Sequence, residues 1–250
     1  MSITSALNAV TDRIGGIYTK FNSAIIVSGG SGTRAGTQKP KQLMELCGLP
    51  VIVRTVNVFE KCKFINEIIV VTREEDIALI NGYINKYGWK KVVNVVKGGK
   101  ERRDSVLNGF KAISDKSEFV YIHDGARCLI TEKMIAKVGH AACSKGSAIA
   151  ACKASDTVKI KEGGYLSTPD RSKIYYAQTP QVFMTELYRA AAYSANTNNI
   201  CATDDASLVE ALGFKVEAVD VGSTNIKITH PEDFAVAEAL LKFRETEKKK

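Results

Sequence analysis

The stretch SAIIVSGGSGTRAGTQKPKQ, residues 23–42, joins an apolar run to a loop that combines glycine with positive charge. Its first residues are almost continuously apolar, as is typical of a strand buried on both faces of a parallel sheet. Three glycines then fall within five residues, and Arg34, Lys39 and Lys41 follow with no acidic residue between them. Glycine lets backbone N–H groups approach an anion closely, and nearby cations neutralise its charge. The stretch predicts a strand that ends in an anion-binding loop, although its spacing matches neither the dinucleotide fingerprint nor the P-loop.

Short apolar runs alternate with longer amphipathic segments along the first 153 residues. The runs predict strands at 23–28, 66–72, 91–96, 119–123 and 147–152. The segments between them predict helices at 51–62, 74–87, 101–114 and 132–145. Thr131 is a suitable N-cap for the last of these helices. This alternation is typical of an α/β fold with a doubly wound, mostly parallel (Rossmann-like) sheet, in which ligands bind outside the carboxyl ends of the strands.

The pattern changes after residue 153. Residues 157–183 alternate like exposed antiparallel strands with a turn at Gly163-Gly164, and the segment contains no helix to cover it. We expect this segment to lie at the edge of the sheet or to protrude as a β-arm, at about 157–177, that packs on another subunit. Further along, the sequence predicts helices at 184–195 and 203–212, strands at 215–221 and 225–229, and a final helix from Pro231. No repeat or linker divides residues 1–250, so we predict a single domain.

The chain carries 35 Lys and Arg against 27 Asp and Glu, a net charge of +8. This excess fits a nucleic acid or a polyphosphate substrate. The distinctive cations lie in loops and at strand ends rather than along one helix face with interleaved aromatic residues, which argues against nucleic acid. With no apolar run of about 20 residues and no secretory h-region, we expect a cytoplasmic protein that does not bind a membrane. The six cysteines lack metal-type spacing and are expected to be reduced and mostly buried.

Three further motifs add charged or polar side chains to predicted strands. HDGAR, residues 123–127, ends an apolar run with Asp124, and an aspartate beside a phosphate loop is well placed to meet Mg²⁺. Lys227 is the one cation of the apolar run NIKIT, where a lysine is costly unless it meets an anion or reaches solvent. The motif TPQVF adds the hydroxyl group of Thr179. These residues favour a phosphate ligand over a plain surface loop.

Seven motifs in this order complete the pattern: the G-x-G-x-R…P-K-Q loop (30–42), GGKERRDSV (98–106), HDGAR (123–127), SDTVK (155–159), DR…AQTPQ (170–181), TDDAS (203–207) and NIKIT (225–229). With them the chain resembles the 2-C-methyl-D-erythritol 4-phosphate cytidylyltransferases over about residues 23–242. The resemblance implies a sheet of the nucleotidyltransferase type. It also implies transfer of CMP from CTP to a sugar-alcohol phosphate in isoprenoid precursor biosynthesis, with release of pyrophosphate.

The resemblance also implies roles for individual residues. Four are catalytic: Arg34 and Lys41 stabilise charge on the α-phosphate and pyrophosphate, whereas Arg171 and Lys227 hold the acceptor phosphate. The nucleotide-binding positions are Ser28, Gly29, Gly30, Gly32, Gly98, Gly99, Ser105, Asp124 and Gly125. The substrate-binding positions are Arg127, Thr157, Arg171, Thr179 and Lys227. Asp124 lies beside Mg²⁺ or another divalent cation, and the β-arm of a partner subunit completes each site of a homodimer.

Two alternatives stay open at this point. The related pentitol-phosphate cytidylyltransferases, which act on ribitol 5-phosphate or a similar acceptor, share the glycine-rich loop, the TPQ motif and the lysine run. The choice of acceptor depends on the shape of the pocket around Thr157 and Arg171, which the sequence does not fix. A basic nucleic-acid-binding protein is the alternative from another class. Lys100 also departs from the family pattern, because an acidic residue is common there and contributes to base recognition.

Overall fold

A computed structural model describes residues 16–29, 40–197 and 202–247. The described residues form a seven-stranded sheet with helices on both faces. The strands, in chain order, are β1 (Asn22–Val27), β2 (Glu45–Leu46), β3 (Leu49–Pro50), β4 (Glu67–Thr72), β5 (Val92–Lys97), β6 (Phe119–Asp124), β7 (Ser147–Lys153), β8 (Ile160–Glu162), β9 (Tyr165–Ser167), β10 (Tyr175–Met184) and β11 (Glu217–Asp220). The order across the main sheet is β11-β7-β10-β6-β1-β4-β5, while β2-β3 and β8-β9 form separate two-stranded ribbons.

The helices follow the strands in the predicted alternation. They are α1 (Val51–Lys61), α2 (Ile77–Tyr87), α3 (Arg102–Phe110), α4 (Glu132–Lys145), α5 (Thr185–Thr197), α6 (Asp205–Ala211) and α7 (Glu232–Glu247). Three 3₁₀ turns lie at Lys41–Leu43, Glu74–Asp76 and Arg171–Lys173. The prediction for α4 is confirmed at both ends, and its cap is the predicted one: the N–H of Met134 donates to Thr131 Oγ1 at 3.2 Å. The predicted helix 101–114 is shorter and ends at Phe110.

The main sheet has one apolar layer on each face, as a doubly wound fold requires. β1 pairs in parallel with both β4 and β6. Its neighbouring residues Ile25 and Ile26 belong to different core clusters, because successive side chains of a strand point to opposite faces. Ile26 packs in the cluster that includes residues of α1, α2 and α4, and Ile25 packs with residues of α3, α5 and α6. The predicted fold class is therefore confirmed.

The expectation for residues 157–183 is wrong in its second half. β10 lies inside the sheet, antiparallel to both β6 and β7, and its residues 178–183 are buried. A proline in an inner strand needs an interruption of the ladder, because it has no N–H to donate. The pairing of β10 with β7 shifts register between Ala177 and Gln181, and Pro180 lies within that shift after a cis Thr179-Pro180 bond. Because of this interruption, the sequence pattern of residues 175–184 does not predict an inner strand.

Other predicted elements differ locally. Residues 225–229 form no strand. They follow the loop after β6 instead, where the N–H of Ile228 donates to Ala126 O at 2.9 Å and Ile228 is buried. The final helix begins at Glu232 rather than at Pro231.

The cysteines of the described residues are free, as expected, but only Cys62 and Cys128 among them are buried, and Cys47 is exposed. Cys201 lies outside these residues. No helix in the described part of the chain is long and apolar enough to cross a membrane.

Candidate active site

Those predicted nucleotide-binding residues that the structure describes come together at the carboxyl edge of the sheet. The N–H of Ser28, just after β1, donates to Val71 O of β4 at 2.7 Å. The N–H of Gly125, just after β6, donates to Val27 O at 2.8 Å. A Cβ atom on Gly29 would lie 3.6 Å from Ser105 Oγ and 3.8 Å from the Cα atom of Gly98. The ends of β1, β5 and β6 therefore share one shallow floor, as expected for a parallel sheet.

The glycines after β5 are required by close packing on the start of α3. A Cβ atom on Gly99 would lie 2.1 Å from the Cβ atom of Asp104, and one on Gly98 would lie 2.9 Å from Ser105 Oγ. The N–H of Gly99 donates to Ser105 Oγ at 3.0 Å, and this hydroxyl donates to Glu101 O at 3.1 Å. Glu101 and Asp104 form a capping box around the same turn. These contacts fix the backbone of residues 98–99. Because both residues are glycine, no side chain covers this backbone where it faces the site.

Part of the predicted phosphate loop lies outside the described residues. This applies to Gly30, Gly32 and Arg34. Lys41 is described: it begins the 3₁₀ turn that precedes β2 and is half-buried.

The centre of the site is a cluster of charges around Asp124, the last residue of β6. Lys227 Nζ donates to Asp124 Oδ2 at 2.7 Å, and Arg102 Nε donates to Asp124 Oδ1 at 3.1 Å. Arg127 Nε lies 3.9 Å from Asp124 Oδ2. Three cations thus surround one carboxylate, and we call these four residues the Asp124 cluster. Its net charge of about +2 makes it a site for an anion.

The charges of the cluster fix its protonation states. Burial alone would raise the pKa of Asp124, but the positive charges of Arg102 and Lys227 outweigh burial and hold this pKa well below its ordinary value. Burial likewise opposes the charge of Arg102, yet the carboxylates of Asp205 and Asp124 raise the pKa of Arg102 above its usual range. Burial lowers the pKa of Arg127, whose Nε is buried and has no hydrogen-bond partner within the described ranges. A buried cation with an unused donor favours an additional anionic partner.

A neutral histidine and a threonine support Asp124 from below. The N–H of Asp124 donates to Thr179 Oγ1 at 3.0 Å, and this hydroxyl lies 3.1 Å from His123 Nδ1. His123 Nε2 lies 3.2 Å from Arg127 O. Because burial lowers the pKa of His123 to about 3, the ring is neutral, with Nε2 as the donor and Nδ1 as the acceptor of the Thr179 hydroxyl. Thr179 is therefore brought to the site, but as a buried support.

The segment that carries Lys227 is attached by its own polar contacts. Arg127 NH1 donates to Asn225 O at 2.9 Å. Asn225 Nδ2 in turn donates to Gln178 Oε1 and to Thr179 O, both at 2.9 Å. Asn225 is fully buried. These bonds hold residues 225–229 against β10 without strand pairing, and they aim Lys227 at Asp124.

Thr157 and Arg171 are not brought to the cluster within the chain. Both are exposed, and they lie on either side of the β8-β9 ribbon. Arg171 NH1 donates to the backbone carbonyl of Ser155 at 2.8 Å. Among the described residues, no hydrogen bond or ion pair joins Thr157 or Arg171 to the Asp124 cluster.

Two charged residues of the site were missed by the sequence prediction. Arg102 bridges Asp124 and Asp205, since its NH1 donates to Asp205 Oδ2 at 2.7 Å. Both residues stand in motifs that the resemblance contains, GGKERRDSV and TDDAS. Each of the two motifs contains a charged residue without a predicted role, and this was the only sign of Arg102 and Asp205 in the sequence. Their pairing across 103 positions is visible only in the fold.

A divalent cation would find little protein support here on its own. The described residues contain no group of three or more His, Cys, Asp or Glu side chains that could hold a metal ion. Asp124 offers one carboxylate, and each of its oxygens already accepts a hydrogen bond from a cation. Mg²⁺ binds through one or two carboxylates when substrate phosphates supply the other ligands. The described residues therefore offer a divalent cation at most one carboxylate, and its other ligands would have to come from substrate phosphates.

A cavity of about 580 Å³ lies at the opposite, amino end of β6, where Phe119, His140 and Met184 contribute to its walls. Among the described residues that line it there is none of the predicted site residues. We therefore place the candidate active site at the Asp124 cluster because of its charges and its position at the strand ends, and not because of cavity size.

The parallel strand ends, the glycines without side chains and the cationic cluster define a nucleotide-binding α/β protein of the nucleotidyltransferase type. Comparison with known proteins gives the particular family. The family model described as 2-C-methyl-D-erythritol 4-phosphate cytidylyltransferase (IspD) matches residues 23–243, and the chain belongs to this family.

Named relatives agree with this assignment. The 2-C-methyl-D-erythritol 4-phosphate cytidylyltransferase of Syntrophus aciditrophicus is 44% identical over 225 residues, covering 89% of this chain and 96% of the relative. That of Alkaliphilus oremlandii is 42% identical over 225 residues, covering 89% and 95%. The crystal structure of 4-diphosphocytidyl-2C-methyl-D-erythritol synthase from Anaerococcus prevotii superposes with a TM-score of 0.81 at 35% identity, covering 89% of this chain and 99% of that chain.

Proposed function

We propose that the protein transfers CMP from CTP to 2-C-methyl-D-erythritol 4-phosphate. The products are 4-diphosphocytidyl-2-C-methyl-D-erythritol and pyrophosphate, and the reaction belongs to isoprenoid precursor biosynthesis by the non-mevalonate pathway. Relatives that are 44% and 42% identical carry the name of this activity. The observation that carries the proposal in the structure is the Asp124 cluster, with three cations at the nucleotide-binding edge of the sheet.

The chemistry asks mainly for positioning and charge neutralisation. An oxygen of the acceptor phosphate forms a bond to the α-phosphorus of CTP, and the bond from that phosphorus to the bridging oxygen of the β-phosphate breaks. The electron pair leaves on pyrophosphate. Because the acceptor is already an anion, no strong general base is required. Two anions must instead be held together, which preorganised cations achieve.

Lys227 and Arg127 are suited to the acceptor phosphate. The side chain of Lys227 is 39% exposed, so it can contact a ligand while it stays paired with Asp124. Arg127 contributes a buried Nε donor that no described residue uses. A phosphate oxygen that occupied this position would satisfy the donor and offset part of the cost of burying the cation.

The glycine-lined floor is suited to CTP. Ser28, Gly29, Gly98, Gly99 and Ser105 would surround the base and ribose, where compact walls leave room for a pyrimidine. Arg34 and Lys41 would neutralise the triphosphate. Mg²⁺ or another divalent cation, held by Asp124 and phosphate oxygens, would supply further neutralisation of the triphosphate charge.

The acceptor site is completed by a second subunit in this proposal. The β8-β9 ribbon exposes apolar side chains: Tyr165 is 84% exposed, Leu166 66% and Ile160 42%. An isolated two-stranded ribbon with an apolar surface is marginal in water and invites pairing. We infer an isologous homodimer in which this arm delivers Thr157 and Arg171 to the partner's site. We further propose that the enzyme consists of a single domain and is cytoplasmic.

The test is pyrophosphate release with CTP, Mg²⁺ and one acceptor at a time. We expect turnover with 2-C-methyl-D-erythritol 4-phosphate and a strong preference for CTP over ATP and GTP. Ribitol 5-phosphate is the second acceptor, and a reaction without acceptor is the control. Faster turnover with ribitol 5-phosphate would replace the proposed acceptor by a pentitol phosphate. Comparable turnover with a purine triphosphate would contradict the assignment of the nucleotide site.

A further inference from the structure

A line of hydrogen-bonded side chains connects the Asp124 cluster to the core beneath α5. Tyr188 OH donates to Asp205 Oδ1 at 2.8 Å, and Arg102 NH1 donates to Asp205 Oδ2 at 2.7 Å. Arg102 Nε then donates to Asp124 Oδ1 at 3.1 Å. Four elements contribute to this line, namely α5, α6, α3 and β6. It ends at the carboxylate that Lys227 also contacts.

The far end of the line is rigid. Asp205 is only 2% exposed and Tyr188 is fully buried. The ring of Tyr188 stacks on Phe183 with centroids 5.4 Å apart and meets the edge of Phe110 at 5.0 Å. A buried carboxylate is tolerated only when it is paired and hydrogen-bonded, and each oxygen of Asp205 has such a partner. The position of Asp205, and with it that of Arg102, is therefore set by core packing.

Arg102 divides its donors between two acids. A guanidinium group beside a single carboxylate tends to form two parallel hydrogen bonds with it. Here NH1 is held by Asp205, and only Nε is directed at Asp124. This division leaves Asp124 Oδ2 to Lys227. Without the charge of Asp205, Arg102 would be free to turn both donors to Asp124 and to compete with Lys227 for it.

We propose that Asp205, backed by Tyr188, is a positioning residue for this reaction. It holds Arg102 so that Asp124 is shared between Arg102 and Lys227. This proposal rests on the proposed function for its effect on turnover, and on the contacts above for its effect on Arg102. Asp205 acts only through Arg102 and does not touch a substrate.

The variants are chosen to change charge or one hydrogen bond while keeping shape. Asp205→Asn removes the charge, and Tyr188→Phe removes only the hydroxyl that fixes Asp205. Glu210→Gln is the matched control, because it removes the charge of an exposed acidic residue on the same helix, α6. We expect a loss in kcat of about tenfold to a hundredfold for Asp205→Asn, since small displacements of catalytic groups have such effects. A smaller loss is expected for Tyr188→Phe, and a change of less than about twofold for Glu210→Gln.

Two readouts separate positioning from general damage. In an Arg102→Ala background, adding Asp205→Asn should change kcat by less than about twofold, because the two residues act as one unit. Nitrogen-15 NMR of the arginine Nε–H groups reports on Arg102 directly and needs no turnover. The exchange of the Arg102 Nε–H with water should become faster in Asp205→Asn and Tyr188→Phe but not in Glu210→Gln. Multiplicative losses in kcat, or an unchanged exchange rate in both variants, would overturn the proposal. A wild-type protein without transferase activity would overturn the proposed function, while the NMR result would still decide the role of Asp205.

Discussion

The Asp124 cluster and the β8-β9 ribbon are two parts of one predicted site, and they are built in opposite ways. In the cluster every charged side chain has a partner from the same chain, and the supporting residues His123, Thr179 and Asn225 are buried. In the ribbon all six strand residues are exposed, and the nearby Thr157 and Arg171 are exposed as well. The side chains of the cluster are held in place by contacts within the chain, whereas the polar side chains next to the ribbon point into solvent. This difference is the one that the proposed homodimer requires, in which each chain completes one half of its own site and contributes the other half to its partner.

The largest effect is expected from Lys227, which belongs to the organised half. Lys227→Ala should lower kcat/KM about a thousandfold, because the acceptor phosphate would lose the cation that holds it beside the α-phosphate. Lys91→Ala is the control, because Lys91 is also half-buried but donates to Cys62 O at the other end of the sheet. Steady-state kinetics at saturating CTP measure both variants. An equal effect of the two substitutions would show that the Asp124 cluster is not the reacting centre.

Arg171 tests whether the exposed half belongs to the site at all. Arg171→Ala should lower kcat/KM about a hundredfold with little change in the midpoint of thermal unfolding, because the side chain is exposed. Lys173→Ala, two residues further along the same turn, should be close to wild type.

Mixing then decides which chain Arg171 serves. After subunit exchange between Arg171→Ala and Lys227→Ala chains, about a quarter of the sites should carry neither defect if the arm reaches across a dimer. Recovery of about that share of activity supports the shared site. No recovery, with exchange confirmed by mass spectrometry, would place Arg171 in its own chain's site.

The apolar surface of the ribbon should govern association rather than folding. Replacing Tyr165 and Leu166 together by serine should weaken self-association by tenfold or more, while the free energy of unfolding of the monomer changes by less than about 0.5 kcal/mol. Tyr193→Ser is a matched control, since Tyr193 is 76% exposed on α5. Sedimentation velocity across a concentration series gives the association constants. A wild-type protein that stays monomeric, or variants that associate normally, would remove the arm from the interface.

The last expected effect concerns acid and only His123, a supporting residue of the Asp124 cluster. The pKa of His123 is lowered by burial to about 3, whereas an unfolded histidine has a pKa of about 6.5. Between these values the unfolded chain binds a proton that the folded chain does not, so stability falls as pH falls below 6.5. At pH 5 the loss relative to pH 7 is about 2 kcal/mol from this group. Asp124 adds nothing in this window, because its carboxylate becomes protonated in the unfolded chain only near pH 4.

Urea unfolding at pH 7 and pH 5 measures this effect. His230→Gln, at an exposed position, should keep the wild-type difference, and His123→Gln should reduce it. An unchanged difference in His123→Gln would show that another group titrates.

The sequence predicts what is local and misses what depends on distant partners. Thr131 and the residues after it specify α4 at both ends, because a cap and an amphipathic face are encoded within a few positions. The assignment of Gly98 and Gly99 comes from the family resemblance, and the structure adds a local reason for glycine there, namely close packing on Asp104 and Ser105. The place of β10 is missed, because strand order is decided by pairing with β6 and β7, far away in the sequence. Asp205 is missed for the same reason, because its importance comes from its contact with Arg102, which lies 103 positions away in the sequence.

β10 has a consequence for how this protein can change over evolutionary time. The strand begins at Tyr175, directly after the turn that carries Arg171, and by Thr179 it has reached the support of Asp124. Four residues of strand span about 13 Å. This short piece of backbone therefore fixes the distance between the arm and the Asp124 cluster. A single inserted residue between them would reverse which side chains face the core and would shift the arm by one step. We therefore expect an insertion between Arg171 and Thr179 to be tolerated less well than one at the tip of the ribbon, at Gly163-Gly164.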